Sequence, residues 1–325
     1  MRPERRLFVS TIGAALALAA LPALGQASGG WMPAKPIHVI VPFTAGSATD
    51  VMARTFGERL TAALGQPVVV ENHPGAGGTI GTGIVAKATP DGTTLVVVST
   101  GHVVNDVLYP GISYDTIGDF AGVAPLGSLP SVLLVPPSLG VKSVRELVAL
   151  MKERPGQLNY CTAGIGSASH INTQKFLMAA GVTAVHIPLK GTPEILNEIM
   201  GGRIEMSWAP LVSAIGPVKD GKVRALAVST HQRSSAVPDI PTIAEEGYPG
   251  AEFNFWVGLL APSKTPREIV RRLNDVVEKA LGDPQVRQRL ANLGAEPMPM
   301  SPEQFDAFLR SEHDELGKVM RAAKK

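Results

Sequence analysis

From residue 36 onward, short runs rich in β-branched residues alternate with helix-patterned stretches, and glycine or proline punctuates nearly every junction. That alternation constrains the fold more than any other feature, because a strand, a crossover helix and a second strand make a βαβ unit, and repeated units build a mostly parallel sheet covered on both faces. Residues 38–41, 68–71 and 94–98 read as strands, with helices at 50–64 and 79–88 between them. The habit repeats with strands at 158–161, 185–187, 204–208 and 223–228 and helices at 144–153, 170–180, 194–200 and 211–219. The fold class is α/β.

After Gly250 the pattern changes. A strand-like stretch at 253–260 is followed by helices alone, at 267–281, 285–292 and 303–322. In the first of these, Ile269, Leu273, Val276, Val277 and Ala280 fall three and four apart, so one face is apolar and needs a surface already built. The chain is therefore expected to return to its first domain. Single cores stop growing near this length, which favours two lobes: residues 28–130 with 251–325, and residues 131–250. The extended segments 131–136 and 253–260 would be the two crossings of a hinge, with the ligand cleft where loops at the strand C-termini face each other.

The first residues have the grammar of an export signal. Arg2, Arg5 and Arg6 precede an apolar run from about residue 11 to 24, and small residues follow to residue 29. That run is too short for a membrane span, and Arg5-Arg6-Leu7-Phe8 leaves the general secretory and twin-arginine routes both open. The formal charge of +2 comes from 30 Lys and Arg against 28 Asp and Glu; removing three Arg and one Glu with residues 1–27 leaves 27 against 27, which is zero. Nothing in that balance points to nucleic acid or an anionic membrane, and no later run is apolar enough to span a bilayer. Cys161 is the single cysteine, so no internal disulfide forms and no lipid-bearing cysteine sits near the cleavage region. The seven histidines are scattered without metal-ligand spacing, and neither a metal nor a cofactor is expected.

Four strand-to-helix loops hold the candidate chemistry. The first runs through Phe43, Thr44, Ala45, Gly46 and Ser47 to Asp50; its exposed N–H groups and the helix dipole suit a carboxylate, while Ser47 and Asp50 also have the spacing of a capping box. The second contains Gly75, Ala76, Gly77, Gly78 and Thr79. A dinucleotide fingerprint, Gly81-x-Gly83-x-x-Ala86, has the right spacing but falls inside the predicted helix rather than in the preceding turn. The third holds Thr162, Ala163, Gly164, Ser167, Ser169 and His170, where several neutral donors gather ahead of a helix. Cys161 or Ser167 with His170 is the enzymatic alternative, though no nucleophile elbow or acid partner accompanies them. The fourth, Lys190-Gly191-Thr192-Pro193, offers a hydroxyl, an amide and a cation at another helix start.

Taken in order, these loops resemble the tripartite tricarboxylate transporter solute receptors, also called the Bug family. The resemblance rests on Val41-Pro42-Phe43 with Asp50, Ala53 and Arg54; Glu71-Asn72 with Pro74-Gly75-Ala76-Gly77-Gly78; Pro90-Asp91-Gly92; Gly164 with Gly166-Ser167 and His170; and Lys190-Gly191. It continues through Arg224-Ala225-Leu226-Ala227-Val228, Pro238-Asp239-Ile240-Pro241-Thr242 and Ala261-Pro262. It implies a type II periplasmic-binding-protein fold in which loops of both lobes hold a ligand carboxylate: Phe43 to Ser47 and Gly75 to Thr79 from one, Thr162 to Ser169 and Lys190 to Thr192 from the other. The family's usual Pro-Gly-Gly in the first loop is here Ala45-Gly46-Ser47, which adds a hydroxyl, and Glu205 and Leu316 stand where the family commonly carries Asp and Trp. The expected protein is a monomeric periplasmic receptor, not an enzyme, that closes on a small organic acid and hands it to membrane transporter subunits. A receptor reporting to a signalling partner would share the same cleft.

Overall fold

The computed structural model describes residues 31–323, and the expected export segment lies outside the described residues. β1 (Ile37–Val41), α1 (Ala48–Leu64), β2 (Val68–Asn72), α2 (Thr79–Ala86) and β3 (Thr94–Ser99) follow the expected alternation, with β1 parallel to both β2 and β3. A short helix α3 (Asn105–Leu108) and a ten-residue strand β4 (Phe120–Leu129) come next, and neither was expected from the sequence. The first sheet is completed from far along the chain. β10 (Phe255–Pro262) inserts between β3 and β4, antiparallel to both, to give the order β2-β1-β3-β10-β4.

The intervening residues build a second lobe: β5 (Ser131–Val135), α4 (Val144–Glu153), β6 (Asn159–Thr162), α5 (Ala168–Ala180), β7 (Val185–Pro188), α6 (Thr192–Met200), β8 (Ser207–Pro210), α7 (Leu211–Lys219) and β9 (Arg224–Val228). β5 lies antiparallel between β8 and β9, and β6 pairs in parallel with β7. A parallel bridge from Tyr160 to Met206 sets β6 beside the run into β8, so the order reads β7-β6-β8-β5-β9. This lobe is therefore mixed rather than mostly parallel. Alternate residues of β5 serve opposite cores: Leu133 and Val135 pack with Tyr160 and Trp208, whereas Val132 and Leu134 pack with Cys161 and Ala209.

Two expectations change here. The chain does cross twice, but segments 131–136 and 253–260 hold strands rather than the crossings themselves; β5 and β10 are buried along their whole length because their sequences are apolar on both faces, as interior strands require. The chain instead changes sheet at Pro130, between β4 and β5, and again between Ser229 and Asn254. Ser229 ties the two passages together, accepting the Ser131 N–H at 3.1 Å and donating its hydroxyl to Phe253 O at 2.9 Å. The strand expected at 204–208 also starts later, at Ser207, where pairing with β5 begins.

α8 (Arg267–Gly282), α9 (Pro284–Asn292) and α10 (Pro302–Ala323) end the chain. The apolar stripe of α8 is buried, as its spacing requires, and α8 and α10 pack on β4 of the first sheet. Trp256 on β10 donates its indole N–H to Glu312 of α10 at 2.8 Å.

Candidate functional site

The C-terminal ends of β1, β3, β6 and β8 and the start of β10 converge, and their loops enclose a chamber of about 30 Å3. From the first lobe it is lined by Phe43, Ser47, Ala48, Thr49, Ser99 and Phe255, and from the second by Ala163, Ser167, Ala168, Ser169, Thr192 and Pro210. Among the described residues lining it, none is charged. A larger hollow of about 510 Å3 lies beside the two crossings, among Ser128, Pro130, Ser229 and Asn254. The smaller chamber is the better candidate, since α/β sheets bind ligands outside the carboxyl ends of their strands.

The helices α1 and α5 both begin at this chamber, so partial positive charge and first-turn N–H groups point into it from either side. The two starts are finished differently. At α5 Ser167 caps the helix, accepting the His170 N–H at 3.3 Å and donating to Gly164 O at 2.7 Å. At α1 the capping-box expectation fails: the Ser47 side chain makes no cap, and its hydroxyl meets Thr49 Oγ1 at 3.1 Å. Asp50 reaches past it to take the Gly46 N–H at 2.9 Å, while Arg54 and Asn72 bond the same carboxylate. Burial alone would raise the Asp50 pKa, but the hydrogen bonds from Arg54, Gly46 and Asn72 outweigh it and hold the acid below its usual value. Asp50 thus stays ionised as the brace of the first loop, and Asn72 completes that brace by donating to Phe43 O at 2.9 Å.

The third loop is held from beneath. Ser169 Oγ accepts the Ala163 N–H at 3.0 Å and Thr162 Oγ1 accepts the Gly164 N–H at 3.2 Å. Thr162 also bonds His186 Nε2 at 2.7 Å, and the rings of Tyr160, His186 and His170 stack in a column with centroids 4.8 and 4.7 Å apart. Gly166 N–H donates to His170 Nδ1 at 3.2 Å, which requires that nitrogen to be unprotonated. Burial lowers the pKa of both histidines to about 4, with His186 adding to the effect on His170. The enzymatic alternative finds no support in this geometry. Burial pushes the Cys161 thiol up to about 12, and the Ser167 hydroxyl is engaged with Gly164 O, while the His170 ring bonds the Gly166 backbone.

The remaining sequence candidates lie around the chamber rather than in its wall. Thr44 packs on Gly191 across the cleft with its hydroxyl buried and unpaired; Ala45 and Gly46 are exposed. Gly75, Ala76 and Gly77 form a turn in which Thr79 Oγ1 donates to Ala76 O at 2.9 Å, and Gly78 packs against the Phe43 ring. Lys190 is exposed, and its backbone N–H donates to Glu194. Six residues of the wall were not among the named candidates: Ser99 and Pro210 end strands β3 and β8, a position that marks them by the carboxyl-end rule, Ala48 and Thr49 open α1, Ala168 opens α5, and Phe255 begins β10.

The lobes are closed over this chamber, and glycines make the closure possible. A Cβ on Gly77 would stand 1.9 Å from Ile165 O, one on Gly101 would stand 2.2 Å from Gly166 O, and one on Gly191 would stand 1.9 Å from Thr44 Oγ1. Two hydrogen bonds cross the same line, from Tyr109 Oη to Ile165 O at 2.7 Å and from Ser213 Oγ to Gly46 O at 3.2 Å.

A family model described as the tripartite tricarboxylate transporter family receptor matches residues 52–324. The chain belongs to that family. Solved relatives superpose closely: the periplasmic binding protein BugD, at 32% identity and a TM-score of 0.86, over 90% of this chain and 98% of that one. An R. palustris protein with adipate gives 34% identity and a TM-score of 0.87, over 90% and 98% of the two chains. MatC from Rhodopseudomonas palustris, with bound malate, gives 34% and 0.85, over 89% and 99%. The tripartite tricarboxylate transporter receptors are solute receptors rather than an enzyme class, and the two-lobe strand order described above is the type II periplasmic-binding-protein fold. Among the described residues no helix is long and apolar enough to cross a membrane.

Proposed function

We propose that this receptor captures the carboxylate of a small organic acid in the interlobe chamber and delivers it, as an exported periplasmic monomer, to the membrane subunits of a tripartite transporter. Residues 28–130 with 251–325 act as one lobe and 131–250 as the other. The observation that carries the reading is the chamber wall: hydroxyls and the starts of α1 and α5 face inward, and no charged side chain joins them. Such a wall stabilises an anion through oriented N–H and O–H dipoles without burying a counter-charge. The adipate and malate held by two solved relatives favour a carboxylate over other anions.

Each charge-assisted hydrogen bond contributes about 1.5–3 kcal/mol, whereas micromolar affinity needs about 8 kcal/mol after association costs. Two or three bonds fall short of that alone. Closure must supply the rest, through contacts between the lobes and burial of the acid's carbon chain against Phe43, Pro210 and Phe255. Titration calorimetry with mono-, di- and tricarboxylates tests the reading: saturable heat and a raised melting temperature are expected with at least one acid, and silence from the whole panel would refute it.

A further inference from the structure

The hydroxyls of the chamber differ once their protons are counted, because a serine or threonine has one proton to donate. Ser167 spends its proton on Gly164 O and a lone pair on the His170 N–H, and Ser169 Oγ, 3.0 Å away, can donate to it in turn, so both protons of that pair have protein acceptors. Ser47 holds the matching N-cap position of α1, yet its side chain makes no cap and bonds Thr49 Oγ1. Two hydroxyls that bond each other use one of their two protons. The second remains for a third oxygen. Ser47 and Thr49 are 4% and 2% exposed and both line the chamber, so that oxygen has to belong to whatever fills it.

Position then sets where on the ligand the oxygen must lie. With the α1 start uncapped, the first-turn N–H groups of Ala48 and Thr49 are the natural seat for a carboxylate. The Ser47 and Thr49 hydroxyls belong to the same turn and line the same chamber. We propose that the Ser47–Thr49 hydroxyl pair selects acids with a hydroxyl or oxo oxygen on the carbon next to the carboxylate, so that the ligand is a 2-hydroxy or 2-oxo acid. This rests on the reading of the chamber as a carboxylate site. An acid without that oxygen leaves a buried hydroxyl proton unanswered, and sites built to hydrogen-bond a ligand group discriminate strongly against analogues that lack it.

The test is titration calorimetry of propanoate, 2-hydroxypropanoate and 2-oxopropanoate against the wild-type protein and the double variant Ser47→Ala/Thr49→Val, with thermal melting to show that the variant is folded. Wild type should bind an oxygenated acid at least tenfold more tightly than propanoate, and the double variant, which removes both hydroxyls, should bring the three acids within about threefold of one another. A tenfold preference that survives in the double variant overturns the assignment to the Ser47–Thr49 pair. Binding of adipate without any of the three-carbon acids overturns the oxygenated ligand while the carboxylate reading stands. Absence of binding by every acid, adipate included, brings down the carboxylate reading itself.

Discussion

Replacing Gly101 by alanine should separate closure from folding. Gly101 lies between β3 and α3 in the first lobe, and a Cβ there would stand 2.2 Å from Gly166 O and 3.0 Å from the Ser167 Cα, both in the second lobe. Non-bonded heavy atoms rest at about 3.5 Å, so the lobes would have to part by about 1.3 Å at this point. Backbone surrounds the added methyl, and no side chain can swing aside. Overpacking of this kind costs about 1–3 kcal/mol, which at 1.4 kcal/mol per decade weakens ligand binding about 5- to 150-fold. Gly101 is not among the residues with positive φ, so alanine suits its own lobe and should hold or slightly raise the melting temperature of the free protein. Calorimetry with the tightest acid of the panel, melting of the free variant and small-angle scattering with ligand present check these points. Gly191→Ala serves as a comparison: its Cβ would come closer, 1.9 Å from Thr44 Oγ1, but that is the end of a rotatable side chain, so the loss should be smaller. An unchanged affinity in Gly101→Ala, or a free-state destabilisation as large as the affinity loss, would refute the argument.

Three further outcomes follow from the geometry. Tyr109→Phe removes the hydroxyl that bonds Ile165 O across the cleft, and should weaken ligand binding about 2- to 12-fold by titration calorimetry, the equivalent of about 0.5–1.5 kcal/mol. Burial lowers His102, His170 and His186 from 6.5 to about 4 in the folded protein, so the unfolded chain takes up protons first; stability should be full above pH 6.5 and fall as pH drops towards 4, by at most about 1.4 kcal/mol per pH unit for each histidine. Urea unfolding across that range measures the slope, and His102→Phe should reduce it. Cys161, fully buried with its thiol pushed up to about 12, should resist Ellman's reagent until urea unfolds the protein, and Cys161→Ala should bind ligand as the wild type does.

The lobes differ in how much of them can be read from sequence. α1, α4, α7 and the inward face of α8 declare themselves by the spacing of apolar residues and by glycine or proline at their ends. β4 does not. Its sequence, Phe-Ala-Gly-Val-Ala-Pro-Leu-Gly-Ser-Leu, carries Pro125 and two glycines and has no alternation. It is nevertheless a strand because β10 is its one strand partner, with only a single bridge from Ser128 to Glu296 besides, and two register shifts in the β10 pairing absorb the irregularity near Pro125. The chamber shows the same divide. Loops between a strand and a helix were legible from their small residues, whereas Phe255 belongs to an antiparallel strand whose partners, β3 and β4, lie on the far side of the whole second lobe in the sequence, and local pattern has no means of showing which strands it joins. Ser47 and Asp50 had the spacing of a reciprocal cap; the competing bonds from Arg54 and Asn72 drew Asp50 to Gly46 instead.

The insertion of β10 between β3 and β4 also dictates an order of events during synthesis. β4 has no other sheet neighbour, so a nascent chain that has emerged as far as β9 holds a complete set of strands for its second lobe and an incomplete first one. The first lobe waits for residues made more than a hundred positions after its own fourth strand, and must close a long loop to receive them. Long-range pairing of this kind slows folding. The N-terminal residues are thus the first to be made and among the last to be locked, and a ribosome-bound chain ending before Phe255 should remain protease-sensitive up to β4 even after its central lobe has become resistant.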